Sequence, residues 1–140
     1  MRSRFSEILI GGFVATFAFL LVAFLESLTG VLTLNPPTFM MVWSRGSVWI
    51  GLFLHLIAGW LFAVLYAVFF IRLLSWIKSD LWRGVVYGIL LAVLIRIFIS
   101  MIAEWEYVGH ISYHIIALII AYAAYGLVLG LIVRSRPQVD

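Results

Sequence analysis

A chain of 140 residues is one domain by length, and its net charge of +3 rests on only nine basic and six acidic residues. With 66% hydrophobic and 11% charged residues and a mean hydropathy of +1.20, it lies far from a soluble domain, in which roughly a quarter of residues are charged. This composition excludes an ordinary soluble fold and points to a membrane protein; the absence of cysteine also excludes disulfides, thiolate metal sites and c-type haem attachment.

The first charge-poor run, 8–25, follows Arg2 and Arg4. It is longer than the roughly 7–15 residues of a secretory apolar core, and no small-x-small pattern appears at Leu25-Glu26-Ser27, so it reads as a span and not as a cleaved signal. Asn35-Pro36-Pro37 cannot continue a helix and marks the exit from this first one. Further apolar runs at 48–71, 84–103 and 111–133 are each near or above the ~20 residues that a helix needs to cross ~30 Å of hydrocarbon. The predicted helices are about 8–31, 48–74, 82–104 and 110–133. No alternating ten-residue pattern of a spanning β-barrel is present. The expected fold is therefore all-α: a single transmembrane domain over 1–140, built as a four-helix bundle.

Lysine and arginine flank these helices unevenly. Arg2 and Arg4 precede the first, Arg72, Lys78 and Arg83 surround the second loop, and Arg134 and Arg136 follow the fourth, whereas the other two loops offer only Arg45. The positive-inside rule then puts both termini in the cytoplasm. Trp76 and Trp82, interleaved with Lys78 and Arg83, read as a headgroup-level anchor. The pI of about 9.6 comes from these flanks, so it speaks for topology and not for nucleic acid.

A short internal repeat is visible. His55 is followed eleven residues on by Tyr66, and His114 at the same interval by Tyr125, while Gly11-Gly12 and Gly84 with Gly88 open helices one and three. Two hairpins that both start inside would be parallel repeats.

Each predicted helix carries one ionisable residue where lipid penalises it: Glu26, His55, Arg96 and His114. Counting from the helix ends at 1.5 Å per residue puts them about 8, 10, 12 and 6 Å below the outer surface. All four converge on the outer half of the membrane as a polar site. Glu26 and Arg96 can neutralise each other there, with two imidazoles beside them. Such a cluster suits a proton or small-ion pathway, and equally a structural network that sets register through interhelical hydrogen bonds.

Cofactor readings remain open beside these. His110 and His114, at i, i+4, share a helical face and could hold a divalent metal, with Glu106 one turn back. His55 and His114 on facing helices could ligate a b-type haem, with Gly51 and Gly59 leaving room for a porphyrin face and Arg96 meeting a propionate. The same glycines, and Gly126 with Gly130, also suit close helix packing without any cofactor. No cofactor is required by the pattern. No catalytic Ser/His/Asp set or phosphate-binding loop occurs, so no enzyme is expected. Four helices are few for a monomeric transporter, which admits a homo-oligomer or a membrane-complex partner.

The stretch His55-Leu-Ile-Ala-Gly59 leading to Tyr66, the glycines of Arg83-Gly84-Val-Val-Tyr87-Gly88, and His114 leading to Tyr125-Gly126-Leu-Val-Leu-Gly130 resemble the YagU-like small four-helix bacterial inner-membrane proteins. Glu26 ahead of Asn35-Pro36-Pro37 resembles that group's acidic residue before a proline pair. The resemblance implies an inner-membrane protein of unknown function, and the group's link to acid tolerance implies a proton- or stress-linked transport or sensing role. The chain departs from the pattern after the prolines, where Thr38 stands in place of the expected arginine and Arg45 follows later.

Overall fold

The structure, a computed structural model, describes residues 3–29, 47–102 and 111–134. The expectations for Asn35-Pro36-Pro37, Thr38, Arg45, Glu106 and His110 lie outside these residues, as do those for the side chain of His114.

Helix α1 spans Arg4–Leu28 and starts four residues before the apolar run, because Ser3 caps it: the Ser3 hydroxyl accepts from the Ser6 backbone N–H at 3.2 Å. Helix α2 begins at Val48, runs as an α-helix to Leu65, passes through a single π-helical turn at Tyr66–Phe70 and resumes over Ile71–Leu73. Helix α3 spans Asp80–Ile102 and α4 spans Ile111–Ile132. Among the described residues, these are four helices long and apolar enough to cross a membrane. They mark the chain as a multi-pass membrane protein.

The packing has the pattern that lipid selects. Small residues and tyrosines fill the inside, including Ala15, Ala23, Ala63, Ala92, Ala121, Tyr66, Tyr87 and Tyr125, while Phe17, Leu61 and Trp49 stand 65%, 65% and 82% exposed. In water such a coat would far exceed the few hundred Å² of apolar patch that monomers tolerate. In hydrocarbon the large side chains cost nothing outside, and small residues inside let helix backbones approach.

The closest approach joins α3 to α4, the most extensive helix pair, followed by α1 with α4 and α1 with α2. A Cβ on Gly84 would overlap the Gly126 carbonyl, one on Gly126 the Gly84 carbonyl, and one on Gly88 the Tyr122 carbonyl. Glycine is required there by backbone contact itself. Neighbouring helices run antiparallel: Gly11, early in α1, faces Leu129 and Val133 at the end of α4, and Gly12 faces Trp60 and Ala63 late in α2. The bundle thus has a terminal end, where α1 starts and α4 stops, and a far end, where α1 stops and α2 starts.

Candidate functional site

In the far half of the bundle, α1 turns a stripe of Ala15, Phe19 and Ala23 inward. Glu26 continues it, seven residues after Phe19 and nearly in register with it on a 3.6-residue helix. The phenyl ring of Phe19 stands between two elements: its centroid lies 5.0 Å from the His55 ring on α2 and 4.7 Å from the Tyr122 ring on α4. His55 in turn shares the inward stripe of α2 with Gly51, Gly59 and Ala63, at four-residue spacing.

Beside His55 lies a small, partly open cavity of about 10 Å³, lined by Thr16, Phe19, His55, Gly59, Tyr122 and Tyr125 among others. That is room for roughly one water. Tyr125 closes it toward the terminal end by donating its hydroxyl to the Gly59 carbonyl at 2.6 Å. Thr16 donates to the Gly12 carbonyl one turn back at 2.7 Å, leaving its oxygen free to accept. The buried Nδ1 of His55 and both buried carboxylate oxygens of Glu26 have no hydrogen-bond partner among the described residues. Unpaired buried polar groups each cost about 1–3 kcal/mol, so two such groups on one half of the bundle are a feature of the site and not background.

The sequence-predicted residues are therefore brought only partly together. Glu26, two residues before the end of α1, His55, seven after the start of α2, Arg96, six before the end of α3, and His114, three after the start of α4, all fall toward the far end. The expected Glu26–Arg96 neutralisation is not formed. Glu26 is unpartnered, and the ion pair among the described residues is Arg83–Asp80, at 2.7 Å. The depth estimate gives the reason, since it brought Glu26 about 4 Å closer to the end than Arg96 and said nothing of the direction each faces.

The space expected for a porphyrin beside Gly59 is filled. A Cβ at Gly59 would collide with the Thr16 hydroxyl, so the glycine serves α1–α2 packing, and the cavity at His55 is far too small for a macrocycle. Gly51 is buried, and Gly126 and Gly130 form the seam with α3. No group of three metal-ligating side chains occurs among the described residues. The two tyrosines of the internal repeat differ in role: Tyr125 bonds to Gly59, whereas the hydroxyl of Tyr66, fully buried, has no partner among the described residues.

The terminal end is organised by Arg83, which the sequence presents as part of a headgroup-level anchor, and by Arg4, which it presents as a basic flank of the first helix. Trp76, Trp82 and Lys78 are exposed, as expected, but Arg83 is buried. Its guanidinium donates to the Leu74 carbonyl at 3.1 Å, the Ile77 carbonyl at 2.5 Å and Asp80 at 2.7 Å, and so holds the α2–α3 loop. Arg4 bridges three helices, donating to the Ala67 carbonyl of α2 and the Arg134 carbonyl after α4, both at 3.1 Å. The π turn makes the first of these contacts available. The Ile71 N–H reaches back to the Tyr66 carbonyl, five residues away, which releases the Ala67 carbonyl from its α-helical partner.

Sequence reading did not single out Thr16, Phe19, Tyr87 or Tyr122 as site residues. The usable signal was the run of small or aromatic residues at three- and four-residue spacing in each helix, which gives the inward face directly. Fold and site together define a small all-α protein that has, among the described residues, four membrane-length helices and unpartnered polar groups in the half away from its termini. The sequence pattern of a family of unknown function, DUF6789, matches residues 4–138, and the chain belongs to that family. No curated protein and no solved structure matches it.

Proposed function

We propose that this is a multi-pass protein of a bacterial inner membrane, with both termini cytoplasmic, that moves or senses protons through the site around His55, and that it is not an enzyme. The observation that carries the proposal is the buried Nδ1 of His55, without a partner among the described residues, beside a cavity sized for one water and walled by Thr16, Tyr122 and Tyr125. An imidazole there can take a proton on one nitrogen while releasing one from the other. Glu26, on the same inward stripe of α1 and likewise unpartnered, supplies a second proton-accepting group toward the far end. Intramembrane carboxylates and histidines of this kind mark proton pathways in pumps and transporters.

The basic flanks support the cytoplasmic assignment of the terminal end, since Arg4, Arg72, Lys78 and Arg134 all stand there. The far end with Glu26 and His55 is then the periplasmic half. The resemblance to YagU-like inner-membrane proteins supports both the location and the proton link. The lipid bilayer is the chain's surroundings, a homo-oligomer or membrane complex is compatible with its size, and no nucleic acid is involved.

The test is proton uptake by liposomes containing the purified protein and a pH-sensitive dye, driven by a potassium diffusion potential. Protein-containing vesicles should take up protons faster than protein-free ones, and His55→Ala and His114→Ala should slow uptake about tenfold, equivalent to ~1.4 kcal/mol in barrier. His110→Ala, at the predicted membrane surface, should leave it intact. Equal rates in protein-containing and protein-free vesicles would remove the proton role.

A further inference from the structure

Two buried polar atoms in the core have no partner among the described residues besides the Glu26 carboxylate: Nδ1 of His55 and the hydroxyl of Tyr66. They lie eleven residues apart on α2, or about 16 Å along the helix axis. Between them the polar atoms recur at every turn of the same helix. The Tyr125 hydroxyl donates to the carbonyl of Gly59 at 2.6 Å and the Tyr87 hydroxyl to that of Phe62 at 2.7 Å. The rings of Tyr66 and Tyr87 stand 5.0 Å apart. Tyr66, Tyr87 and Tyr125 are each at most 2% exposed, and Tyr122 is 8% exposed.

From this file of groups we infer that Tyr122, Tyr125, Tyr87 and Tyr66 form a proton relay that connects the His55 cavity to the terminal end of the bundle. The inference rests on the proton role proposed above and names the route. The Tyr125 and Tyr87 oxygens each keep a lone pair while donating to a carbonyl, and the Tyr66 hydroxyl is uncommitted. Each tyrosine accepts a proton on its free lone pair from the preceding group and, with its O–H rotated off any carbonyl it donates to and toward the next group, releases the proton it held, so one proton enters and one leaves while every tyrosine ends neutral. Hydrogen bonds span about 2.8 Å, so ~16 Å requires roughly six links and five intermediates. The tyrosines supply two or three of these, and two or three waters the rest; the cavity at His55 already has room for one.

The two unpartnered atoms become intelligible as the ends of this route. A group at the end of a relay trades its proton with water and gains from having no fixed protein partner. At the terminal end the route opens beside the π turn, where the Arg4 and Arg83 guanidinium groups occupy the neighbouring carbonyls and leave the Tyr66 hydroxyl uncommitted.

Tyrosine-to-phenylalanine exchange tests the relay, because it removes the oxygen and keeps the ring. In the vesicle assay Tyr66→Phe and Tyr87→Phe should each reduce proton uptake about tenfold, with thermal stability of Tyr66→Phe equal to or above that of the parent. Uptake by the parent protein with unchanged rates in both variants would overturn the relay and leave the proton role standing. No uptake above protein-free vesicles by the parent would overturn both. A rate loss that only follows a loss of folded protein, read by the melting temperature of the same preparations, would also count against the relay.

Discussion

The two halves of the bundle handle polar groups in opposite ways. At the terminal end each of the two inward-reaching guanidinium groups finds carbonyls: Arg83 takes those of Leu74 and Ile77 with Asp80, and Arg4 takes those of Ala67 and Arg134. Toward the far end Glu26 and the Nδ1 of His55 have no hydrogen-bond partner among the described residues, and the cavity lies beside His55. The difference comes from the backbone. A π turn and a loop release carbonyls to the guanidinium donors at one end, whereas a carboxylate needs donors, and the regular helices at the other end keep their N–H groups in their own ladders. A base clamped by charged hydrogen bonds, with the Tyr66 hydroxyl left open, under a half where Glu26 and His55 are unpartnered among the described residues is the arrangement expected of a protein that has to exchange protons, since stability is concentrated away from the exchanging groups.

The largest effect should come from breaking the base at its glycine seam. Gly126→Ala puts a methyl group against the backbone carbonyl of Gly84, and backbone cannot rotate aside. The expected loss is about 4 kcal/mol or failure to fold, at the upper limit for single substitutions, read as the melting temperature in detergent. A melting temperature within a few degrees of the parent would mean that α3 and α4 do not approach so closely.

Next in size is Arg83→Leu, which keeps the apolar stem and removes the charge that holds the α2–α3 loop. Hydrogen bonds to a charged group are worth about 1.5–3 kcal/mol, and loop carbonyls left without Arg83 can recruit water, so a loss of about 2–3 kcal/mol is expected. The headgroup-anchor alternative expects a loss below about 1 kcal/mol. Chemical denaturation of the variant separates the two.

Gly59→Ala should be milder than the change at Gly126, although both add one methyl group. The obstacle at Gly59 is the hydroxyl of Thr16, a side chain that can rotate, so about 1–2 kcal/mol is expected. The pair Gly59→Ala with Thr16→Ala should recover most of it. If the double variant is no better than Gly59→Ala alone, some other neighbour is responsible and the cavity wall is wrongly described.

How much of this was legible in the sequence follows from what hydropathy measures. Runs of apolar residues gave all four helices to within a few residues at each described end, because length and depth are set by the thickness of the hydrocarbon. They gave no direction around the helix axis, since Leu, Ile and Phe lie on lipid-facing and inward faces alike. For that reason the depths of Glu26 and Arg96 were readable but their failure to pair was not. Arg83 was misread as an anchor because its loop looks interfacial; only the fold shows the Leu74 and Ile77 carbonyls curling back onto it. The π turn at Tyr66–Phe70 has no mark in the residue types YAVFF, and without it the role of Arg4 could not be foreseen.

The smallest effect, and the one whose sign the structure reverses, belongs to Glu26. A carboxylate paired with Arg96 would be stabilising, and Glu26→Gln would then weaken the protein by stranding a buried cation. In the structure the carboxylate has no partner among the described residues, so its removal relieves a burial cost without breaking an ion pair. Glutamine keeps the length and shape of the side chain and is cheaper to bury, which makes a gain of about 1 kcal/mol the expected outcome. Arg96→Gln should be close to neutral, and the double change should equal the sum of the two, because residues without a shared contact behave additively. The measurement is a double-mutant cycle on melting temperatures at neutral pH and moderate salt. A loss from either single change that the double change largely restores would reinstate the ion pair, and with it remove Glu26 from the unsatisfied groups of the far end.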